Sequence, residues 1–114
     1  MDEFNRGENI TLTKVMYDDD GTTALDAGDF TAIRVKIYHK HLRTELARYT
    51  LDDNVAEDGT SGIVVIIPAA TTATATLGVY EYHIRTSETN SDYESNVRTR
   101  KYVADAFYLT KAIT

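Results

Sequence analysis

The sequence contains no cysteine, so it can form no disulfide bond, thiolate metal site or cysteine nucleophile. Long hydrophobic runs are also missing, because the longest, Ile63–Ile67, is far below the ~20 apolar residues of a membrane-spanning helix. The first residues are acidic and polar with no apolar stretch behind them, which predicts no secretory signal. Lys and Arg number 12 against 18 Asp and Glu, giving a net charge of −6. We therefore expect neither nucleic acid nor a membrane as a partner.

The remaining composition is typical of one folded domain. Hydrophobic residues make up 42% and charged residues 26% of the 114 residues, as in ordinary soluble globular proteins. A chain of this length holds a single hydrophobic core. We expect one domain over residues 1–114, in which residues 1–8 form a flexible N-terminal arm.

Alternating apolar and polar residues predict β-strands. The clearest patterns are residues 32–39 and 78–86, where the apolar positions recur with a period of two. Four weaker patterns lie at residues 9–15, 45–51, 62–67 and 101–111. Clusters of Asp, Asn, Gly and Ser separate them and predict turns at residues 18–21, 27–29, 52–54, 58–62 and 88–92.

One short helical segment interrupts the strands. Pro68 followed by alanines and threonines favours a helical turn near residues 69–76. Many short strands with no long helix predict an all-β protein, an antiparallel β-sandwich of about seven strands.

Two groups of residues could hold a metal ion. Asp18, Asp19 and Asp20 before Gly21 resemble part of a calcium loop, but the glutamate at its twelfth position is absent, which favours a solvated turn. His39 and His41 are two residues apart and could share a metal with His83, although nothing in the sequence brings the three together. We expect no metal and no cofactor.

The usual enzyme motifs are absent from the sequence. No Gly-x-Ser-x-Gly, phosphate loop or dinucleotide fingerprint occurs, and the serines lie in polar, turn-like stretches. No pattern assembles a nucleophile with a base. We therefore predict no catalytic residues and a protein that is not an enzyme.

Outward positions on the predicted strands are candidates for an interface. They comprise apolar residues, amphipathic tyrosines and a local basic patch in an otherwise acidic chain. Outward tyrosines also suit a sugar platform, so a carbohydrate-binding or host-adhesion module is the alternative. The candidate interface residues are Val64, Ile66, Val79, Tyr38, Tyr102, Tyr108, Arg98, Arg100 and Lys101.

The order of these segments is similar to a known family. A Thr-rich first strand, Tyr17-Asp-Asp-Asp-Gly-Thr-Thr-Ala-Leu-Asp26 and the strand at residues 31–37 are followed by an Ala/Thr-rich helical segment. A Gly-x-Tyr-x-Tyr-x-Ile strand comes next, with Gly78, Tyr80, Tyr82 and Ile84 in its places. This order, over residues 9–111, resembles the immunoglobulin-like N-terminal domain of tailed-phage baseplate upper proteins and related small phage structural modules.

The resemblance implies an immunoglobulin-like sandwich that acts as a non-enzymatic adaptor or decoration module of the virion. Its expected partners are other virion structural proteins, and many copies would assemble symmetrically, as a homo-oligomer or within a larger particle. Residues 87–101 are longer and more charged than the family pattern. Tail, baseplate, neck and capsid surface therefore all stay open as its location.

Overall fold

The computed structural model describes residues 2–58, 62–93, 95–102 and 105–112. These residues form short strands, one α-helix and a single 3-10 turn at Ala27–Asp29. The helix, α1, is Ala69–Thr72. The strands are β1 (Asp2–Asn5), β2 (Ile10–Lys14), β3 (Met16–Tyr17), β4 (Ala24–Leu25), β5 (Ala32–His39), β6 (Glu45–Leu51), β7 (Asn54–Glu57), β8 (Ile63–Ile67), β9 (Gly78–Thr89), β10 (Val97–Tyr102) and β11 (Ala106–Thr110).

Nine of these strands belong to one hydrogen-bonded sheet. Its order is β1-β11-β9-β5-β6-β7-β8-β2, and β10 pairs with β9 on the same edge as β11. Neighbours are antiparallel except in the pairs β1 with β11 and β6 with β7. The strands β3 and β4 form a separate small hairpin.

The two halves of the sheet close over a single core. Ile33, Val35 and Ile37 of β5 are buried, and so are the alternate residues of β8 in the other half of the sheet. All of them belong to one hydrophobic cluster, so the sheet folds back over its own inner face. The all-β prediction is confirmed, and the architecture is compatible with a sandwich or barrel-like arrangement.

Aromatic rings fill one part of this core. Tyr80 of β9 stacks on Phe107 of β11 with ring centroids 5.5 Å apart, and Phe4 of β1 meets the same ring edge-on at 5.8 Å. Residues 2–5 therefore form a strand parallel to β11, not the flexible arm that we expected over residues 1–8. The anchor is Phe4, an isolated aromatic among polar residues that carries no periodic signal.

The strands outnumber the predicted seven because several are very short. The strands β3, β4 and β7 have two to four residues, too few to display a period of two. The turn expected at residues 88–92 begins later, since β9 continues through Thr89 by pairing with β10. The closing strand expected at residues 101–111 is β11 preceded by β10, and residues 103 and 104 lie outside the described part.

The helical turn predicted near residues 69–76 is present as α1. It begins directly after Pro68, and the hydroxyl of the buried Thr72 lies within hydrogen-bond distance of the backbone oxygens of Glu8 and Ala69, which share its single proton. No helix in the described ranges is long and apolar enough to cross a membrane.

A basic recess as the candidate functional site

The outer face of the sheet carries a recess of about 800 Å³ over the adjacent strands β6, β5, β9 and β10. We call it the basic recess, because half of the 12 Lys and Arg residues of the sequence line it. Among the described residues its lining includes no Asp or Glu. Its cations are Arg34, Lys36, Arg43, Arg48, Arg85 and Lys101.

The pleat of the strands places these cations outside. Ile33, Val35 and Ile37 of β5 are buried in the core, so the intervening Arg34 and Lys36 point away from it. The strand β9 repeats the pattern with inward Tyr82 and Ile84 and outward His83 and Arg85. The same alternation that builds the core therefore concentrates positive charge on the opposite face.

The strand register brings like charges side by side. Arg85 on β9 pairs with Arg34 on one side and with Lys101 on the other, so three cations form a row across three strands. A second row contains His83, Lys36 and Arg48 on β9, β5 and β6. Like charges directly opposite one another weaken a sheet. Sheet stability alone does not explain this arrangement, which is suited to binding negative charge.

Carboxylates within the chain neutralise little of this charge. Arg48 Nε donates to Glu45 Oε1 at 2.7 Å. Among the described residues, the other five cations have no carboxylate oxygen within 4.0 Å. The nearby Glu81 is already held by Tyr38 and by Lys40, whose Nζ lies 3.7 Å away. Five of the six cations therefore give the recess a positive surface without a carboxylate partner among the described residues.

Tyr38 and His83 form the floor of the recess, and Glu81 lies beside it. The Tyr38 hydroxyl donates to Glu81 Oε2 at 2.9 Å and lies 2.7 Å from His83 Nε2. Because the single hydroxyl proton goes to Glu81, the His83 Nε2–H donates to the Tyr38 oxygen. We predicted Tyr38 as an exposed contact residue, but it is only 8% exposed because these partners enclose its outward side chain.

These surroundings also shift the pKa values of His83 on the floor and of Glu81 beside it. Burial and the positive charge of Lys101 hold the pKa of His83 below its usual value of 6.5. The hydrogen bond from Tyr38 lowers the pKa of Glu81. At neutral pH His83 is therefore an uncharged donor next to an ionised carboxylate.

The other predicted tyrosines do not join Tyr38 in a flat platform. Tyr102 faces inward, packs against the core and donates its hydroxyl to the Tyr17 oxygen at 3.2 Å. Tyr108 faces outward on β11, is 40% exposed and lies opposite the half-buried Val79 of β9. The expectation that Tyr102 stands outward is wrong, because β10 presents it on the same face as the buried Ile84.

The predicted basic patch at residues 98–101 is divided between two faces of β10. Arg98 donates to both carboxylate oxygens of Asp19 at 2.7 Å, and Arg100 Nε donates to Glu88 Oε1 at 2.6 Å. Arg100 also lies 3.0 Å from Asp18. Although burial opposes its charge, these carboxylates raise the pKa of Arg100. Arg98 and Arg100 thus join β10 to neighbouring segments and do not form a free patch.

Lys101 has the opposite orientation. It is exposed and lines the basic recess together with Arg85, its partner on β9. Of the three basic residues proposed from the sequence, the structure places only Lys101 in the recess.

The predicted apolar positions of β8 lie on another outer face. Ile66 is 44% exposed, whereas Val64 is half-buried. Their cross-strand neighbours on β2 are Thr11 and Thr13. A neighbouring molecule could contact these positions on β8. They do not belong to the basic recess, which lies over β6, β5, β9 and β10.

The candidate metal ligands have other partners. Asp18 and Asp19 bind arginines, and Asp20 accepts hydrogen bonds from the Thr22 and Thr23 backbone. The Asp20 pKa falls to about 2, chiefly because the Thr23 hydroxyl also donates to this carboxylate. This is the chemistry of a hydrogen-bonded turn.

Both ring nitrogens of His39 have hydrogen-bond partners within the chain. Its Nδ1 accepts the backbone N–H groups of His41 and Leu42, and its Nε2 donates to the Leu77 oxygen at 3.1 Å. Across the described ranges, no group of three or more His, Asp or Glu is arranged to hold a metal ion.

Comparisons of this chain with protein-family models, with curated proteins and with solved structures give no match. The basic recess is therefore interpreted from its own chemistry. The sequence predicts strands at residues 32–39 and 78–86, but the grouping of Arg34, Lys36 and Arg85 depends on which strands pair. The available signal was the clustering of cations at outward positions of two strongly predicted strands.

Proposed function

We propose that this protein is a non-enzymatic adaptor or decoration module of a bacteriophage virion, with an immunoglobulin-like β-sandwich fold. It docks onto other tail, neck or capsid proteins and is present in many symmetric copies. The resemblance over residues 9–111 supports the phage assignment. The basic recess supports docking, and it is the observation on which the proposal rests.

The charge distribution favours docking at one face of the protein over nonspecific association with acidic surfaces. A chain with net charge −6 repels most acidic surfaces, yet this face concentrates six cations around one depression. An acidic partner is therefore attracted to this face in preference to the others, which is how charge complementarity contributes to specificity and register.

The outer face of β8 offers a second contact of different character. Ile66 exposes a large apolar side chain, and Val64 beside it is half-buried. An adaptor joins at least two neighbours, and an apolar patch away from the basic recess supplies the second surface.

Purified particles from the phage that encodes the chain provide the test. We expect mass spectrometry to detect the chain in particles, and electron cryomicroscopy to place it in symmetric copies with the basic recess against a neighbour. The Arg85→Glu variant should be incorporated less than the wild-type chain, whereas Lys111→Glu, with the same change in net charge, should not. Wild-type particles that do not contain the chain would overturn the proposal.

A carbohydrate-binding or host-adhesion module is the second candidate function. If the recess binds a carbohydrate, its cations favour an acidic sugar, since guanidinium groups bind carboxylate and sulfate in a bidentate manner. The tyrosines give it less support, because Tyr38 is buried and Tyr102 faces inward. Saturable binding of an acidic oligosaccharide on a glycan array, lost in Arg85→Glu, would favour this function over the adaptor.

A further inference from the structure

We infer that the basic recess binds a short acidic segment of a neighbouring protein, a turn or tail with several Asp or Glu side chains. The inference rests on the proposed adaptor function and specifies the chemistry of its partner. Three properties of the recess support it: its dimensions, its charge and the residues that border it.

The dimensions suit a short segment. The recess extends over four neighbouring strands, a width of about 14 Å at the usual spacing of about 4.8 Å between strands. An extended chain covers this width with roughly four or five residues. A volume of about 800 Å³ is also far more than one isolated anion fills.

The charge suits several carboxylates held together. Among the described residues, five cations of the recess have no carboxylate partner within 4.0 Å. Three of them are arginines, whose planar guanidinium groups match the two oxygens of a carboxylate. A segment with four or so acidic side chains would therefore balance the recess, whereas a single anion would leave most of the repulsion in place.

The border of the recess disfavours a long polyanion. Along β6, Glu45 precedes the lining residue Arg48, and Asp52 and Asp53 follow the lining residue Thr50. Glu81 lies beside the floor at Tyr38. A nucleic acid backbone is longer than the recess, so its remaining phosphates would lie on a protein of net charge −6 that carries these carboxylates at the border. A short acidic segment places all of its negative charge inside the recess and avoids this repulsion.

Calorimetric titration of the intact chain with capped hexaglutamate tests the inference. In about 50 mM NaCl we expect saturable binding at one site per chain, which disappears at about 0.5 M NaCl because the contacts are charge-dependent. Arg85→Glu should weaken this binding at least about fivefold, since one cation is removed and a repulsive charge takes its place. Lys111→Glu should leave the affinity unchanged. Circular dichroism verifies that both variants are folded.

Three results would overturn the inference. The first is no saturable binding of hexaglutamate, or binding that Arg85→Glu leaves intact. The second is tighter binding of a single-stranded oligothymidylate of about 20 nucleotides, which would assign the recess to nucleic acid. The third is salt-sensitive self-association in sedimentation velocity that Arg85→Glu abolishes, which would make a second copy of this chain the occupant.

The proposed function and this inference can fail separately. If the chain is found in particles but does not bind hexaglutamate, the adaptor function stands and the partner chemistry is wrong. If it binds hexaglutamate but is absent from particles, the recess has the inferred specificity and the virion assignment is wrong.

Discussion

Arg85 on β9 lies directly opposite Arg34 on β5, and its other strand neighbour is Lys101 on β10. Cross-strand neighbours of the same charge are destabilising, whereas opposite charges in these positions stabilise a sheet. The row of Arg34, Arg85 and Lys101 therefore destabilises the sheet locally. A role in binding negative charge would explain why three cations are neighbours here. Stability and binding should respond in opposite directions to changes at Arg85.

Arg85→Glu should stabilise the protein. The substitution replaces two repulsive cross-strand pairs by two attractive ones, and we expect the free energy of unfolding to rise by about 0.5–1 kcal/mol. Urea unfolding followed by circular dichroism measures this change. Lys111→Glu serves as the control, since it alters net charge equally outside the row and should leave stability nearly unchanged. A less stable Arg85→Glu protein would show that Arg85 makes favourable contacts in the free state.

Arg100 and Arg98 should differ in their contribution to stability. Arg100 has a side chain only 12% exposed, so Arg100→Met removes the buried cation that lies nearest to Glu88 and Asp18. We expect a loss of about 1–3 kcal/mol for this variant. Arg98→Met should lose less, because its main partner Asp19 is mostly exposed to water and its contact with Glu88 is long, at 4.0 Å. Equal losses in urea unfolding would contradict this ranking of the two arginines.

Ile66→Lys should affect assembly and not folding. Ile66 is 44% exposed in the isolated chain. We therefore expect the substitution to change the free energy of unfolding of the protein by no more than about 0.5 kcal/mol. The adjacent Ile67 is fully buried, and Ile67→Ala should cost about 2–5 kcal/mol. Incorporation into particles measures the first effect and calorimetry the second. A monomeric Ile66→Lys protein with clearly reduced thermal stability would identify Ile66 as a core residue.

His83 should titrate below pH 6.5. Burial and Lys101 lower its pKa in the folded chain, so between that pKa and 6.5 the unfolded chain binds the extra proton. The contribution of His83 to stability is therefore present above pH 6.5 and declines as the pH falls below that value. In NMR titrations of the imidazole protons, Lys101→Gln should raise the His83 pKa, although burial keeps it under 6.5.

Lys111→Gln is the matched control for this titration and should leave the His83 pKa unchanged. A His83 pKa at or above 6.5 in the wild-type chain would mean that Glu81 outweighs both burial and Lys101.

The local alternation of apolar and polar residues was sufficient to predict the strands that build the core. The alternation of Ile33, Val35 and Ile37 is long enough to define a strand and its inner face, and β5 has the bounds that the sequence indicates. The helical turn after Pro68 was also predictable, since proline is favoured where a helix starts, and here it directly precedes the first helical residue, Ala69. Strands of two residues, such as Met16–Tyr17, have no such pattern.

The candidate site depended on contacts between distant parts of the chain. Arg98 binds Asp19 across 79 residues of sequence, which removed it from the expected basic patch. Tyr38 is enclosed by Glu81 and His83, more than forty positions later. Neither partner is apparent from local periodicity, and the basic recess itself exists only in the register of β5 with β9. This is why outward orientation could be inferred while the grouping could not.

The pairing of β5 with β9 has consequences during synthesis. His39 pairs with Tyr80 and Ala32 with Ser87, so the partners are separated by roughly 40 to 55 residues and form a non-local contact of the kind that slows folding. A ribosome adds about 5–20 residues per second, so the edge of β5 that pairs with β9 waits roughly 2–10 s for its partner. Throughout that interval Ile33, Val35 and Ile37 are available to chaperones or to the wrong strand, and slower translation would lengthen the exposure.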